Sequence, residues 1–151
     1  MNPSRFSYFL RVRYGECDAQ KVVFNSRYGE YVDLAAAEFL RTLGFEHEIQ
    51  TAELDYQVVK QTTQWRSPAR FDQVLEVSVS AQHLGTTSFT LATEFRIAGD
   101  EAVIAAVETV YVHVDTHTLT KAPMPPRLRE ALERGAKGQY VDHAAYVSNV
   151  V

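Results

Sequence analysis

Between Phe6 and Tyr14 apolar and polar side chains alternate. Phe6, Tyr8, Leu10, Val12 and Tyr14 fall on one side and Ser7, Phe9, Arg11 and Arg13 on the other, the period of a half-buried strand. The period then lengthens. Tyr28, Val32, Ala35, Phe39 and Leu43 recur at spacings of three and four, which predicts a helix from about Ser26 to Leu43 with one apolar face. Ala35-Ala36-Ala37 supplies small, strong helix formers that let a sheet approach closely, and Gly44 suits the position just past the helix end. Residues 45–54 read as a polar connection. From Asp55 to Gln82 the chain is extended, with Tyr56, Val58, Lys60, Thr62 and Gln64 alternating against Gln57, Val59, Gln61, Thr63 and Trp65, and with a break at Pro68. Gly85 marks a turn, Phe89, Leu91, Phe95 and Ile97 form the apolar side of a further strand, and Gly99-Asp100 reads as a hairpin turn. Residues 101–114 carry apolar side chains at both parities, the pattern of a strand covered on both faces. Pro125-Pro126 opens a short helix that runs to Gly135, and residues 136–151 read as a loosely held tail with the option of packing on a partner chain.

One early helix followed by an antiparallel meander makes an α+β fold, a single domain over residues 1–151 with its core at about 6–134. A single sheet must cover its free edges, and pairing with a second copy does so, which predicts a homo-oligomer. The chain's 151 residues and 46% hydrophobic content are enough for one real core. A net charge of −4 excludes the basic face of a usual nucleic-acid binder. No apolar run is long enough to span a bilayer, and the N-terminus does not read as a signal peptide. With one cysteine, no internal disulfide is available, and the expected compartment is the cytoplasm.

Candidate chemistry concentrates between Arg13 and Tyr28. A polar loop carries Asp18 past Val22, Val23 and Phe24, and Asn25-Ser26 then opens the helix. A carboxylate beside the electropositive start of a helix, with free N–H groups nearby, suits attack on a carbonyl whose oxygen becomes negative. Asp18 has two routes open: nucleophilic attack on the carbonyl, or general-base activation of water. Free N–H groups at the helix start would hold the oxyanion, while the Asn25 side chain, in competition with Ser26, suits a plain N-cap. Glu16 reads as a solvated loop acid, although two acids so close can raise one another's pKa. Cys17, between two acids, is disfavoured as a thiolate and reads as a small buried side chain. The five histidines form no helical i, i+4 pair and have no cysteine partner, so no metal and no cofactor are expected. Phe24, Tyr28, Tyr31 and Trp65 suit either an apolar ligand pocket or ordinary core. Arg66, Arg70, Arg96 and Lys121 are candidates for meeting phosphates.

The run Arg13-Tyr-Gly-Glu-Cys-Asp18, followed by Val22-Val23-Phe24-Asn25 and Tyr28, resembles the signature of the 4-hydroxybenzoyl-CoA thioesterase family, the hotdog-fold acyl-CoA thioesterases that include the YbgC-like branch. Trp65-Arg-Ser-Pro-Ala-Arg-Phe-Asp72 is similar to the family's strand-turn motif, and Leu84-Gly-Thr-Thr-Ser-Phe89 to the hairpin after it, so the resemblance spans roughly residues 8–134. It implies an antiparallel sheet of about five strands wrapped around one long helix, dimers whose sheets join, often paired into tetramers, and active sites at the dimer interface. It implies an acyl-CoA substrate, with Asp18 as the catalytic acid, the Asn25 amide as the oxyanion donor, and Val23, Phe24, Tyr28 and Ser67 as substrate-binding residues. Lys21 stands where the family often has glycine, and Asn25 where the YbgC-like branch usually has histidine. Those departures keep a non-catalytic acyl-CoA-binding or scaffold protein in play. A hotdog dehydratase acting on 3-hydroxyacyl thioesters needs a loop histidine, and the first histidine here is His47.

Overall fold

The computed structural model describes residues 2–150. Its centre is helix α1 (Tyr28–Leu40), entered through a tight turn of 3-10 helix at Asn25–Arg27. The stripe Tyr28, Val32, Ala35, Phe39 and Leu43 is buried, as its spacing predicts. The helix does not stop at Gly44. It widens into a π turn over Arg41–Phe45, where Gly44 takes a φ of 101°, and resumes as α2 (Glu46–Thr51). The reason is tertiary. Arg127, on the later helix α3 (Pro126–Arg134), donates to the Gly44 carbonyl at 2.7 Å, pairs with Glu48 at 2.7 Å and lies over the Phe45 ring. The polar stretch after Gly44 is thus held as helix by a residue far away in sequence.

Around α1 wrap β1 (Phe6–Arg11), β2 (Tyr56–Trp65), β3 (Val74–Gln82), β4 (Ser88–Ile97) and β5 (Val103–His113). With a short sixth strand, β6 (Tyr140–Asp142), they form one sheet in the order β2-β5-β4-β3-β1-β6. The first five pair antiparallel, and β6 lies parallel to β1. This is the sheet around one long helix that the resemblance implies, with one more strand.

Directly paired residues share a face of the sheet. Leu75, Val77 and Val79 of β3, Phe89, Leu91 and Phe95 of β4, and Ala105, Val107 and Tyr111 of β5 face α1 and are all buried. In β2 the simple alternation fails. The register shifts between Val58 and Lys60, so Tyr56 and Val58 lie on the same face as Gln61, Thr63 and Trp65, with Val59 as the extra residue of a bulge. Expectation and structure also part on β5. Its helix-facing residues are buried, and on the other face Ile104 and Val112 near its ends are buried too, but between them Ala106 and Val110 are half-buried and Glu108 is exposed.

The outer face is covered instead near β1, by the C-terminal segment. That segment is not loose. β6 pairs with Ser7–Phe9, Tyr146 stacks on Phe9 with centroids 5.1 Å apart, and the Asp142 carboxylate accepts the N–H groups of Ala144, Tyr146 and Val147. This cover explains why Ser7 and Phe9, on the predicted polar side of β1, are as buried as Phe6 and Tyr8. Tyr14, expected in the apolar row, has left the strand and is 77% exposed.

Glu76, buried on the outer face, accepts from Arg5 at 2.8 and 3.1 Å and from the Ser7 hydroxyl at 2.6 Å. Burial pushes its carboxyl pKa up, but the Arg5 and Ser7 hydrogen bonds outweigh that and hold it below its ordinary value of 4.5. The stability this group contributes is therefore fully present above the unfolded-state value and is lost as pH falls through the lower folded-state value. Urea midpoints measured from pH 7 down to 3 are expected to fall less steeply in Glu76→Gln than in the wild type.

Candidate active site

The loop between β1 and α1 is a small, closed piece of structure. Tyr14–Glu16 forms one 3-10 turn. Cys17 and Val23 then face each other as an isolated antiparallel bridge, and residues 18–21 turn the chain. Asp18 N–H donates to the Val22 carbonyl at 2.9 Å, and Lys21 N–H to the Asp18 carbonyl at 2.9 Å. Asp18 Oδ1 accepts the Gln20 N–H at 2.8 Å, an Asx turn. No hydrogen-bond partner among the described residues meets Asp18 Oδ2. On its far side the loop is stitched to the segment after β2. Val23 N–H donates to the Ala69 carbonyl at 2.8 Å and Phe71 N–H to the Lys21 carbonyl at 3.0 Å.

Lys21 holds a φ of 61°, the left-handed region that glycine occupies freely. A non-glycine residue there costs on the order of 1 kcal/mol, so the surrounding bonds impose the turn. Lys21→Gly is expected to gain up to about 1 kcal/mol, offset in part by the greater freedom of the unfolded chain. Urea unfolding of the two proteins checks it, and a clear loss of stability would contradict it.

Asp18 is solvent-exposed and stands on a ridge between two grooves. One, of about 310 Å³, is lined by Gly15, Glu16, Cys17, Asp18, Phe24 and Arg27. The other, of about 260 Å³, is lined by Tyr14, Cys17, Asp18, Ala19, Lys21 and Phe71. The first groove places Asp18 together with residues at the very start of the long helix. Phe24 is 49% exposed there and precedes the helical turn in extended conformation, with φ −64° and ψ 135°. That makes Phe24 the residue at the N-cap position. Asn25 and Ser26 are already helical, so neither is the cap, and no side chain bonds the first turn. Among the described residues no acceptor meets the N–H of Asn25.

Other candidates are dispersed. Val23 and Tyr28 are buried beneath the loop in the core. Ser67 lies beyond the end of β2, its N–H bound to the Ile104 carbonyl at 3.1 Å, outside both grooves. Tyr31 is core, whereas Trp65 is 49% exposed. Arg96 is not free for a phosphate. It is buried on the outer sheet face and donates to Ser78 Oγ, Glu94 and the Glu101 carbonyl. Arg66, Arg70 and Lys121 are exposed.

Glu16 departs furthest from its sequence reading. It is buried, and its carboxylate accepts from the Arg13 backbone, the Arg13 guanidinium and the Tyr31 hydroxyl. Burial raises its pKa, but these bonds outweigh burial and hold it below the ordinary carboxylate value. Cys17 is half-buried, and desolvation together with the Glu16 and Asp18 charges pushes its thiol up. Arg27 lines the Asp18 groove and pairs with Glu30 at 2.9 Å, a placement with no signal in the sequence beyond its position one residue before α1. Among the described residues no cluster of three or more His, Cys, Asp and Glu is placed to hold a metal ion, and no helix is long and apolar enough to cross a membrane.

Residues 12–132, most of the chain and all of this loop, match the sequence family described as the thioesterase-like superfamily. The chain belongs to that superfamily. Among its relatives is the acyl-CoA thioester hydrolase YbgC of Escherichia coli O6:H1, 28% identical over 126 residues that cover 83% of this chain and 93% of that protein. The 1,4-dihydroxy-2-naphthoyl-CoA hydrolase of Synechococcus elongatus is 24% identical over 134 residues, covering 81% and 90%. In three dimensions the thioesterase-superfamily chain is similar to the gentisyl-coenzyme A thioesterase BH1999, with a TM-score of 0.74, 29% identity and coverage of 83% of this chain and 98% of that one. Thioester hydrolysis is the chemistry these relatives share.

Proposed function

We propose that the protein hydrolyses an acyl-CoA or aryl-CoA thioester to the free acid and coenzyme A. The observation that supports it best is the groove in which Asp18 lies beside the turn that opens α1: among the described residues one of its carboxylate oxygens is unengaged and the Asn25 N–H has no acceptor. The thioester carbonyl oxygen would accept the Asn25 N–H, a contact worth about 3 kcal/mol once the oxygen carries negative charge. As general base, Asp18 takes a proton from water. The resulting hydroxide adds to the carbonyl carbon, the C–S bond breaks, and the thiolate leaves with a proton. As nucleophile, Asp18 itself adds and expels the thiolate, and water then opens the anhydride. After a single turnover in heavy-oxygen water, label on Asp18 identifies the nucleophilic route, because it arises only when water opens an anhydride at the aspartyl carbon.

Phe24 would border the acyl group, with Val23 and Tyr28 shaping the wall behind it. Ser67 enters only if the site is shared between protomers. β2 supports a second copy: it is an edge strand with Val58, Val59 and Trp65 49%, 58% and 49% exposed, and Ser67 lies just beyond its end, where a copy pairing along β2 would approach. The proposed assembly is a homodimer, paired again into a tetramer. The test is a panel of short, long and aromatic acyl-CoAs, followed by thiol release. Turnover on at least one ester, abolished by Asp18→Ala with fold retained, is the expected result. Binding across the panel with no turnover would instead make the protein a carrier.

A further inference from the structure

We propose that Glu16 is the positioning residue of this site, setting the distance between the Asp18 carboxylate and the Asn25 amide. The inference rests on the thioesterase reading above and adds a part to it. Asp18 follows Glu16 by two residues and Asn25 follows Phe24 by one, so the two reacting groups sit on different arms of the loop. Glu16 binds both arms and the helix at once. Its carbonyl accepts the Phe24 N–H at 3.0 Å, which fixes the Val23–Phe24 peptide, one unit ahead of the Asn25 amide. Its Oε1 accepts the Tyr31 hydroxyl and the Arg13 N–H, both at 2.8 Å, and its Oε2 accepts Arg13 Nε at 2.9 Å and Nη2 at 2.6 Å.

Two features make this more than a stray ion pair. First, a carboxylate offers about four acceptor sites, and four donors fill them here. Glu16 therefore has no lone pair left for proton transfer, although its residue borders the Asp18 groove. Second, the anchor is rigid. Tyr31 is 1% exposed, one turn into α1, with its ring against Tyr28 and Phe95, so its hydroxyl is a fixed point of the core. The loop needs such a point, because Lys21 is held in a conformation it does not favour. Arg13, by contrast, is largely exposed and bonds Glu16 from within the same turn, so it closes the turn without tying it to the core.

The test is Tyr31→Phe, which removes one hydroxyl and keeps the ring that packs the core. kcat per folded molecule is expected to fall on the order of tenfold, with KM changed less than about twofold, since a small misplacement of a reacting group costs rate rather than affinity. Glu16→Ala is expected to do the same or worse, and Glu16→Gln, which keeps an Oε1 acceptor for Tyr31 and the Arg13 N–H, to recover part of the loss. In an Asp18→Asn background the Tyr31→Phe change is expected to alter the residual rate by less than about twofold, because no carboxylate remains to be placed. A Tyr31→Phe enzyme with lower thermal stability but wild-type kcat per folded molecule would overturn the proposal, as would an equal loss with and without Asp18. The two readings fail separately: activity that survives Asp18→Asn sinks the catalytic assignment and this one with it, whereas activity that needs Asp18 but ignores Tyr31 and Glu16 sinks only the positioning role.

Discussion

Asp18→Asn is expected to lower kcat for acyl-CoA hydrolysis by about 10²–10⁴-fold, the range by which a positioned acid–base group accelerates proton transfer. Asparagine is the informative choice. Its side-chain carbonyl still accepts the Gln20 N–H that closes the Asx turn, so the loop keeps its shape. What is lost is the negative charge on the second oxygen, the one with no partner among the described residues. The loss should therefore fall on kcat, with KM changed by less than about threefold, because the Asn25 amide and the groove walls are untouched. Steady-state thiol release over a range of substrate concentrations measures both. Retention of more than a tenth of the wild-type kcat would remove Asp18 from the chemistry.

Phe95→Ala is expected to be the most destabilising single change near the site, costing about 3–5 kcal/mol. Phe95 is fully buried on β4 and packs edge-on against Tyr28 at 5.2 Å and, tilted, against Tyr31 at 6.3 Å. Truncation opens a cavity under the first turn of α1, and the helix cannot drop toward the sheet to fill it while Ala35 and Ala36 already sit buried against the core. Both residues that carry the start of the helix then lose their support. Urea unfolding followed by circular dichroism gives the stability. Activity should decline at temperatures well below the unfolding midpoint, since Tyr31 also anchors the loop acid Glu16. A loss below about 1 kcal/mol would mean that the site does not depend on this aromatic cluster.

Much of the architecture was legible because it follows from periodicity. The stripe from Tyr28 to Leu43 and the alternating rows of β1, β3 and β4 are local patterns, and burial of an apolar face obeys them directly. Where the reading failed, a distant partner intervened. The 45–54 segment became helical because Arg127 grips Gly44 and Glu48. The polar side of β1 became buried because β6 and Tyr146 lie over it. In β2 one inserted residue, Val59, reversed the alternation, and nothing in a row of valines, threonines and glutamines announces a bulge. The candidate site divides the same way. Asp18 stands out as a candidate because it is a loop acid followed by a helix start, and the Asn25 amide comes from the family resemblance. Glu16 could not be picked out, because its meaning depends on Tyr31 lying one turn into a helix that folds back over the loop.

By itself the sequence determined the order and kind of the main elements, the apolar face of the central helix and the loop that carries the acid, since each rests on contacts between near neighbours or on the burial of a repeated face. Only the tertiary structure decided which of the two loop acids is exposed and which is clamped, that Ser67 lies outside the grooves beside Asp18, and that the C-terminal segment closes over the sheet. Those outcomes turn on hydrogen bonds and packing between residues separated by tens of positions, and no local pattern encodes where a chain will meet itself.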